Sequence, residues 1–554
     1  MNRKHIVVTT AVAALAFLSG GWLLQKSGGS NDDVYQEARL FDDVITHVAD
    51  FYVDSIPEPK LYRMAIDGML GQLRDPYTGF LDGSDLARLA EATSGNYGGI
   101  GAQIDKRDGA IVIVAPLPET PAEAAGITTG DRIVAVNDTS TARWTQEQCV
   151  SELRGPVGTT VHLTIDRPGV STPIKIAIVR AEIHSRAVRL ATMLDSTVGY
   201  VELYGFSQST AAELQQAVDS LRGVGMHALI LDLRYNPGGL LEEGTGVADL
   251  FLDPGQEIVS TRGRAPDANR VVVDHAPQRY PGMPLLVLVN GATASASEIV
   301  AGALQDHDRA LILGTTSYGK GLVQSVYRLS NQPGDEVVLK LTTAKWYTPS
   351  GRSIQLPIHD RRAPDVVDDR DPDEEIPAAD RDSAEAAQVY HTDDGRVVHG
   401  GGGITPDMIV LPDSALVAAR DRLTHALDTN VVKFSDALAA FALDARAHHS
   451  FTSPRFQVTP AIRDQFLATL RRRGVTLDNA TLAVTGPLID EELGDQTARF
   501  VFGRAGELRR LSGGDDKVLA TALHLADTAH SQHDLLTMAA PHDPSAQAAR
   551  AGRP

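Results

Sequence analysis

The chain is short of cysteine and of basic charge. Its 554 residues include one cysteine, Cys149, so no disulfide can form within the chain. The apolar helical setting Glu147-Gln-Cys149-Val-Ser-Glu-Leu153 predicts a buried thiol rather than a reactive one. Lysine and arginine number 51 against 71 aspartates and glutamates, a formal net charge of -20. That balance supplies no basic surface of the kind phosphates demand, which argues against nucleic acid as a partner and favours solubility. No nucleotide loop of the Walker type is present. The acidic run Asp368 to Glu375 lacks the spacing of an EF-hand loop, and the adjacent His448 and His449 fall on different faces of a helix. Neither a metal nor a nucleotide cofactor is expected. A Ser/His/Asp arrangement finds no support either, because His184, His275 and His307 all lack an orienting context, His307 being the least remote.

What is present begins with one apolar segment. Arg3-Lys4 precede an uncharged stretch from Ile6 to Leu24, close to the ~20 residues that span a bilayer, and Gln25-Lys26 follow it. Gly21-Trp22-Leu23-Leu24 offers no small-x-small cleavage site. Residues 1–26 are therefore expected to be an uncleaved anchor in a bacterial inner membrane, with the rest of the chain facing the periplasm; cleavage would leave it free in the periplasm. Residues 27–33, with Ser27-Gly-Gly-Ser30, read as a flexible linker. Residues 34–95 read as helices, with Leu40, Val44, Val48 and Phe51 on one face and Leu61, Ala65, Met69 and Leu73 on another. Those stripes either pack on a core or pair subunits. With 43% hydrophobic residues and a length too great for one core, several globular domains are expected.

The chemistry concentrates between Asn290 and Gln324. Asn290-Gly-Ala-Thr-Ala-Ser295-Ala-Ser-Glu298 follows the apolar strand Leu285 to Val289 and runs into a helical pattern through Leu304. Ser295 thus falls on a strand-to-helix turn, where an exposed nucleophile is expected. The Ala296 amide, at a helix start without an internal partner, can face an oxyanion. Tyr318-Gly319-Lys320-Gly321-Leu-Val-Gln324 adds a lysine. A lysine acts as a base only as the free amine, and burial favours that form, lowering its pKa by up to ~3–5 when it is fully enclosed. Gly319 and Gly321 allow close backbone packing. If Lys320 to Leu329 is a strand, Lys320 and Gln324 share a face and the glutamine can steer the amine. Upstream, Leu229-Ile-Leu-Asp232-Leu-Arg-Tyr-Asn236-Pro237-Gly238-Gly239 is an apolar strand ending in a glycine turn, whose amides can approach a substrate unobstructed.

Earlier still, Tyr97-Gly98-Gly99-Ile100-Gly101-Ala-Gln103-Ile104, Thr120-Pro121-Ala-Glu-Ala-Ala125-Gly126-Ile127 and Gly130-Asp131-Arg-Ile133-Val-Ala-Val136-Asn137 are similar to a PDZ domain. In order and spacing, these motifs from roughly Val34 to Val410 resemble the carboxyl-terminal processing proteases, tail-specific serine peptidases with a PDZ domain and a Ser/Lys dyad. The resemblance implies Ser295 as nucleophile, Lys320 as general base and Gln324 as the residue orienting the lysine. It implies an oxyanion hole from Ala296 and the glycine turn, with Gly238 favoured and Gly239 the alternative. Asp306 matches an acidic residue that some members need, and it can equally cap or pair near the end of its helix. Gly99, Ile100 and Gly101 become the loop that holds the carboxylate of a peptide added to the sheet edge.

The implied fold is α/β and multidomain: a crotonase-like protease core with an inserted PDZ-like domain, N-terminal helices and a helical C-terminal extension. The boundaries expected are 96–170 for the PDZ-like domain, 171–412 for the core and 413–554 for the extension. Residues 358–395 are expected to form an acidic mobile insertion. Leu339 to Arg352 is expected to line or support the cleft. In the extension, Leu416, Ala419, Leu423 and Leu427 share one helical face and Ile462, Phe466, Leu467 and Leu470 another. The implied activity is that of a serine endopeptidase acting on proteins with free, apolar C-terminal tails, with self-association or a regulatory partner as further expectations. The competing reading is a membrane-tethered PDZ scaffold with an inactive protease body.

Overall fold

The computed structural model describes residues 31–107, 109–167, 169–330, 336–357, 388–411 and 413–539. The expected anchor, the linker through Ser30, the acidic stretch 358–387 and the tail from 540 onwards lie outside these residues. Among the described residues no helix is long and apolar enough to cross a membrane. The chain divides into two compact units.

The smaller unit, among the described residues 31–81 with 326–330 and 337–341, is built on the helices Asn31–Phe51 and Glu58–Gln72. Ile45, Leu61 and Leu70 are buried, and the Tyr62 hydroxyl donates to Asp42 Oδ1 at 2.5 Å. The stripes legible in the sequence behave otherwise: Leu40, Val44, Phe51, Met69 and Leu73 are all more than half exposed. Periodicity fixes which residues share a face, but two helices side by side can cover only the inner edge of each stripe.

In the larger unit three neighbouring strands, Ala228–Asp232, Leu285–Val289 and Leu311–Gly314, are buried at every residue. Parallel strands covered on both faces read as unbroken apolar runs, and these do. They lie in a six-stranded sheet ordered Val188–Met193, Val198–Leu203, Ala228–Asp232, Leu285–Val289, Leu311–Gly314, Met408–Ile409, antiparallel at the first pairing and parallel thereafter. The helices Thr210–Gly223, Leu241–Asp249 and Ala296–Asp306 return over one face. Side chains alternate along a strand, so Leu229, Leu231, Leu285, Val287 and Ile312 meet Leu214, Val218, Val247 and Leu304 on that side.

The opposite face carries Tyr200, Ile230, Leu286, Leu288, Leu311 and Leu313, and its cover comes from the C-terminal extension through Leu508, Leu519, Ala522, Leu525 and Leu535. Each of those leucines contributes roughly 1.5–3 kcal/mol by burial, so the extension is part of the core rather than an appendage. Its helices Ser414–Leu427, Val431–Ala447, Pro460–Arg472 and Asn479–Arg510 also form a core of their own, in which Phe434 meets Phe466 edge-on at 5.5 Å. Here the stripes legible in the sequence are inside: Ala419, Leu423, Leu427, Phe466, Leu467 and Leu470 are all buried.

The PDZ-like module is an antiparallel sheet ordered Ala102–Arg107, Ala110–Pro116, Arg132–Val136, Thr160–Asp166, Ile174–Val179, with Thr139–Ser140 beside Arg132–Val136. Its last strand lies beyond the expected boundary at 170; the alternation Ile174, Ile176, Ile178 completes the sheet. Cys149 is inside the module's core as expected, and burial pushes its thiol up to about 11. A two-stranded ribbon, Asn96–Gly99 against Ala181–His184, carries the module. The hairpin Val389–His391 with Val397–His399 corrects the expected extent of the mobile insertion, because Arg396 pairs with both Asp308 and Asp407 and fixes the chain there.

Candidate active site

Three loops leave the carboxyl ends of the three central strands: Leu233 to Gly239, Asn290 to Ser295, and Thr315 to Gly321. In an open parallel sheet such ends lie side by side and form the usual crevice for a ligand. The first two loops are stitched together. Asn290 Oδ1 accepts from Tyr235 N–H at 3.1 Å, and Thr293 Oγ1 donates to the Leu233 carbonyl at 2.8 Å. The Asn236 carbonyl accepts from Ala294 N–H at 2.9 Å and from Ser297 Oγ at 3.1 Å. Ser295 itself has φ 57 and ψ -115, outside the regions comfortable for a residue with a side chain. Such strain persists only where the surroundings over-determine it, and the helix Ala296–Asp306 starts immediately after.

The third loop is tied to the second by one carboxylate. Glu298 is fully buried, and its Oε2 accepts from Ser295 N–H at 2.8 Å and from Lys320 N–H at 2.9 Å. Its Oε1 accepts from Gly319 N–H and from Ser317 Oγ, both at 2.6 Å. The Ser317 hydroxyl oxygen accepts in turn from Ile404 N–H, so its proton points to the carboxylate. Burial pushes the Glu298 carboxyl up, and the four donors, which stabilise the anion, work against that rise. Because Ser295 and Lys320 give their amides to the same oxygen atom, their backbones are neighbours. The Trp346 indole donates to the Lys320 carbonyl at 2.9 Å. Gly319 has φ +83, and a Cβ there would stand 2.8 Å from Leu356 Cδ1, so the loop can lie this close only with glycine.

Ser295 and Lys320, both half-buried, are thus brought to one place. Gln324 does not stand to Lys320 in the expected way. The strand begins at Leu322, so Lys320 precedes it and a shared strand face does not relate the two residues. Gln324 Nε2 lies 3.4 Å from Thr342 Oγ1, a long contact for a hydrogen bond. Gly238 abuts Ser295: a Cβ on it would stand 2.8 Å from Ser295 Cβ and 2.9 Å from Ala296 N. Its own N–H, however, donates to Asn236 Oδ1 at 2.9 Å. The Gly99 to Gly101 segment opens the PDZ-like module, where the Ile100 carbonyl accepts from Ala122 N–H and the Gly101 carbonyl from Leu117 N–H. On the adjacent edge strand, Gln146 Nε2 donates to the Ile104 carbonyl at 3.2 Å.

The model of peptidase family S41 matches residues 197–367, and the PDZ domain model matches residues 90–166. Over 362 residues the chain is 38% identical to a carboxy-terminal-processing protease of Bartonella bacilliformis, covering 64% of this chain and 81% of that protein. The chain belongs to the carboxy-terminal-processing proteases of family S41. It is also 36% identical over 354 residues to the carboxy-terminal processing protease CtpA of Bacillus subtilis, covering 63% of this chain and 74% of that one. A solved structure of a photosystem II D1 C-terminal processing protease is 32% identical, with 57% of this chain and 89% of that chain covered and a TM-score of 0.33.

In this serine-type peptidase of family S41, Asp306 is at the far end of the helix that follows Ser295. At 1.5 Å per residue it lies about 15 Å from Ala296. Its Oδ1 takes Arg352 Nη2 at 2.7 Å and its Oδ2 takes Ser350 N–H at 3.0 Å, with the Arg352 side chain fully buried. Asp306→Ala, which leaves a buried guanidinium short of its anion, is expected to lower stability by about 3–5 kcal/mol. Turnover per folded molecule should change less than about twofold; thermal melting and kcat check the pair. His307 stands at that same distant end, with Nδ1 on Asp393 and Nε2 on the Glu257 carbonyl. The residues that sequence reasoning passed over are Glu298 and Asn236. The signal for Glu298 was a lone carboxylate in the apolar run Ala296 to Leu304, three residues after the serine.

Proposed function

We propose that this family S41 peptidase cuts exported proteins whose unstructured, apolar C-terminal tails its PDZ domain captures, by a Ser295–Lys320 acyl-enzyme mechanism. The observation that carries the reading is the Glu298 carboxylate, which joins the Ser295 and Lys320 amides at the carboxyl ends of adjacent strands. Ser295 Oγ gives its proton to the free amine of Lys320 as it attacks the scissile carbonyl. The negative charge on the carbonyl oxygen is met by the Ala296 amide and a second amide from the Gly238-Gly239 turn. The lysine ammonium then protonates the leaving amine, and water deprotonated by the neutral Lys320 so regenerated releases the acyl group. Gln324 orients the lysine.

Tail capture uses the amides of Gly99, Ile100 and Gly101 for the terminal carboxylate and the edge strand Ala102–Arg107 for the backbone. A docking peptide must displace Gln146 from the Ile104 carbonyl. The test pairs two substrates, one with a free apolar C-terminus and the same chain amidated, with wild type and Ser295→Ala. Cleavage of the free-ended substrate at least about tenfold faster than of the amidated one is expected, because loss of the carboxylate removes a set of charge-assisted hydrogen bonds worth ~1.5–3 kcal/mol. A fluorophosphonate should label wild type alone. Equal cleavage of both substrates would remove the tail-capture step, and labelling of Ser295→Ala would remove the nucleophile. The basic Arg3-Lys4 and the uncharged stretch to Leu24 support an anchored enzyme facing the periplasm, and isolation of a mature chain starting near Ser27 would overturn the anchor.

A further inference from the structure

We infer that Asp516, in the C-terminal extension, is a positioning residue for the loop that supplies the second oxyanion donor, acting through Arg234. The inference rests on the oxyanion role proposed for the Gly238-Gly239 turn. That loop begins at the carboxyl end of the strand Ala228–Asp232 and is fixed at its base by one guanidinium. Arg234 Nη2 donates to Asp232 Oδ2 at 2.7 Å and Nε lies 3.1 Å from both Asp232 oxygens, while the Arg234 amide donates to Asp232 Oδ1 at 2.9 Å. Asp232 also accepts from the Tyr200 hydroxyl at 2.8 Å. The remaining arm, Nη1, meets Asp516 Oδ2 at 2.8 Å. All three charged side chains are largely shielded, at 14% exposure for Arg234, 5% for Asp232 and 18% for Asp516.

The pair of acids holds the guanidinium from two sides. Asp232 ends its strand, paired with both neighbouring strands and bonded to the Tyr200 hydroxyl, and ties the arginine to the sheet. Asp516 ties the remaining arm to the extension, because the helix that follows it, Lys517–Thr528, is packed on the sheet through Leu519, Ala522 and Leu525. From Arg234 the loop continues through Tyr235, which holds φ 60, to Asn236, whose Oδ1 takes the Gly238 amide and whose carbonyl takes Ala294 N–H of the nucleophile turn. A rotation at Arg234 is therefore passed to the glycine amides and to the approach of Ser295.

Asp516 has a second task, since its Oδ1 accepts from Leu519 N–H at 3.0 Å as the N-cap of its helix. The two tasks separate chemically: asparagine caps a helix about as well as aspartate but carries no charge for Arg234. In the full chain, Asp516→Asn is expected to lower kcat about tenfold, a fraction of the ~10²–10³ lost when an oxyanion donor is removed outright, with KM within about twofold. Inhibition by a peptide boronate, whose tetrahedral adduct on Ser295 fills the oxyanion position, should weaken about tenfold as well. The melting midpoint should stay within about 4 °C, because asparagine keeps the helix cap and Arg234 keeps its pair with Asp232. Asp516→Glu, which restores the charge, should recover part of the loss. Wild-type kcat and boronate inhibition in Asp516→Asn, or an equal loss in Asp516→Glu, would overturn the inference. Failure of the site reading itself would look different, since wild type would then show no Ser295-dependent turnover.

Discussion

Glu298→Ala is expected to lower stability by about 3–5 kcal/mol and to stop fluorophosphonate labelling of Ser295 in the molecules that still fold. The carboxylate accepts from three backbone amides and a hydroxyl in a fully buried site. Each orphaned donor costs ~1–3 kcal/mol, and partial collapse or an entering water keeps the total below their sum. The informative variant is Glu298→Gln, which keeps volume and shape. A glutamine has one acceptor oxygen, so its NH₂ must face two of the four donors, and one of the two loops is pushed away. A displacement near 1 Å between reacting groups costs about 10²-fold in rate, so labelling and peptide turnover should fall by at least about that factor. Glu298→Asp should behave similarly, because the shorter chain cannot reach both the Ser295 turn and the Gly319–Lys320 amides. Melting curves and labelling rates measure the two effects. A Glu298→Gln enzyme within twofold of wild type in labelling would show that this carboxylate does not set the distance between serine and lysine.

That residue also marks where the sequence stops being readable. The serine turn, the glycine turn and the PDZ motifs are local: each depends on strand, turn and helix preferences within a dozen residues, and the structure has them where local chemistry puts them. Glu298 acts across the fold, on Gly319 and Lys320, and only the side-by-side order of the strands at 285–289 and 311–314 reveals its role. Gln324 is the opposite case, since a face shared with Lys320 needs a strand two residues longer at its start than the one that forms. Which glycine amide faces the substrate depends on the direction of a peptide plane, and composition says nothing about that. The N-terminal stripes and those of the extension look alike as sequence. Their opposite fates, Leu40 exposed and Leu423 buried, follow from how many neighbours each helix has. The extension's larger role was hidden for the same reason: an amphipathic helix announces a buried face but not the surface that covers it.

Lys320→Met is expected to reduce peptide turnover about 10³–10⁴-fold at neutral pH while leaving the fold and tail binding intact, the usual scale for loss of a general base acting with a nucleophile. The loop should survive the change because its anchors are in the backbone. The Lys320 amide on Glu298 and the Lys320 carbonyl under the Trp346 indole do not depend on the side chain. Methionine keeps the length and apolar stem of lysine and removes the amine, so the loss reports chemistry. His307 cannot take over, because it is a helix length from Ser295 and has both ring nitrogens committed. Lys320→Arg then separates two roles that a single deletion confuses. Arginine keeps a positive charge at the site and cannot be deprotonated in a protein, so it can stabilise an anion but cannot accept the serine proton. If Lys320 is the base, both variants are inactive and both still bind a tail peptide with wild-type affinity. An arginine variant keeping more than about a tenth of wild-type kcat, against the 10²–10⁴ that base catalysis supplies, would make the lysine an electrostatic aid and leave the proton to another acceptor.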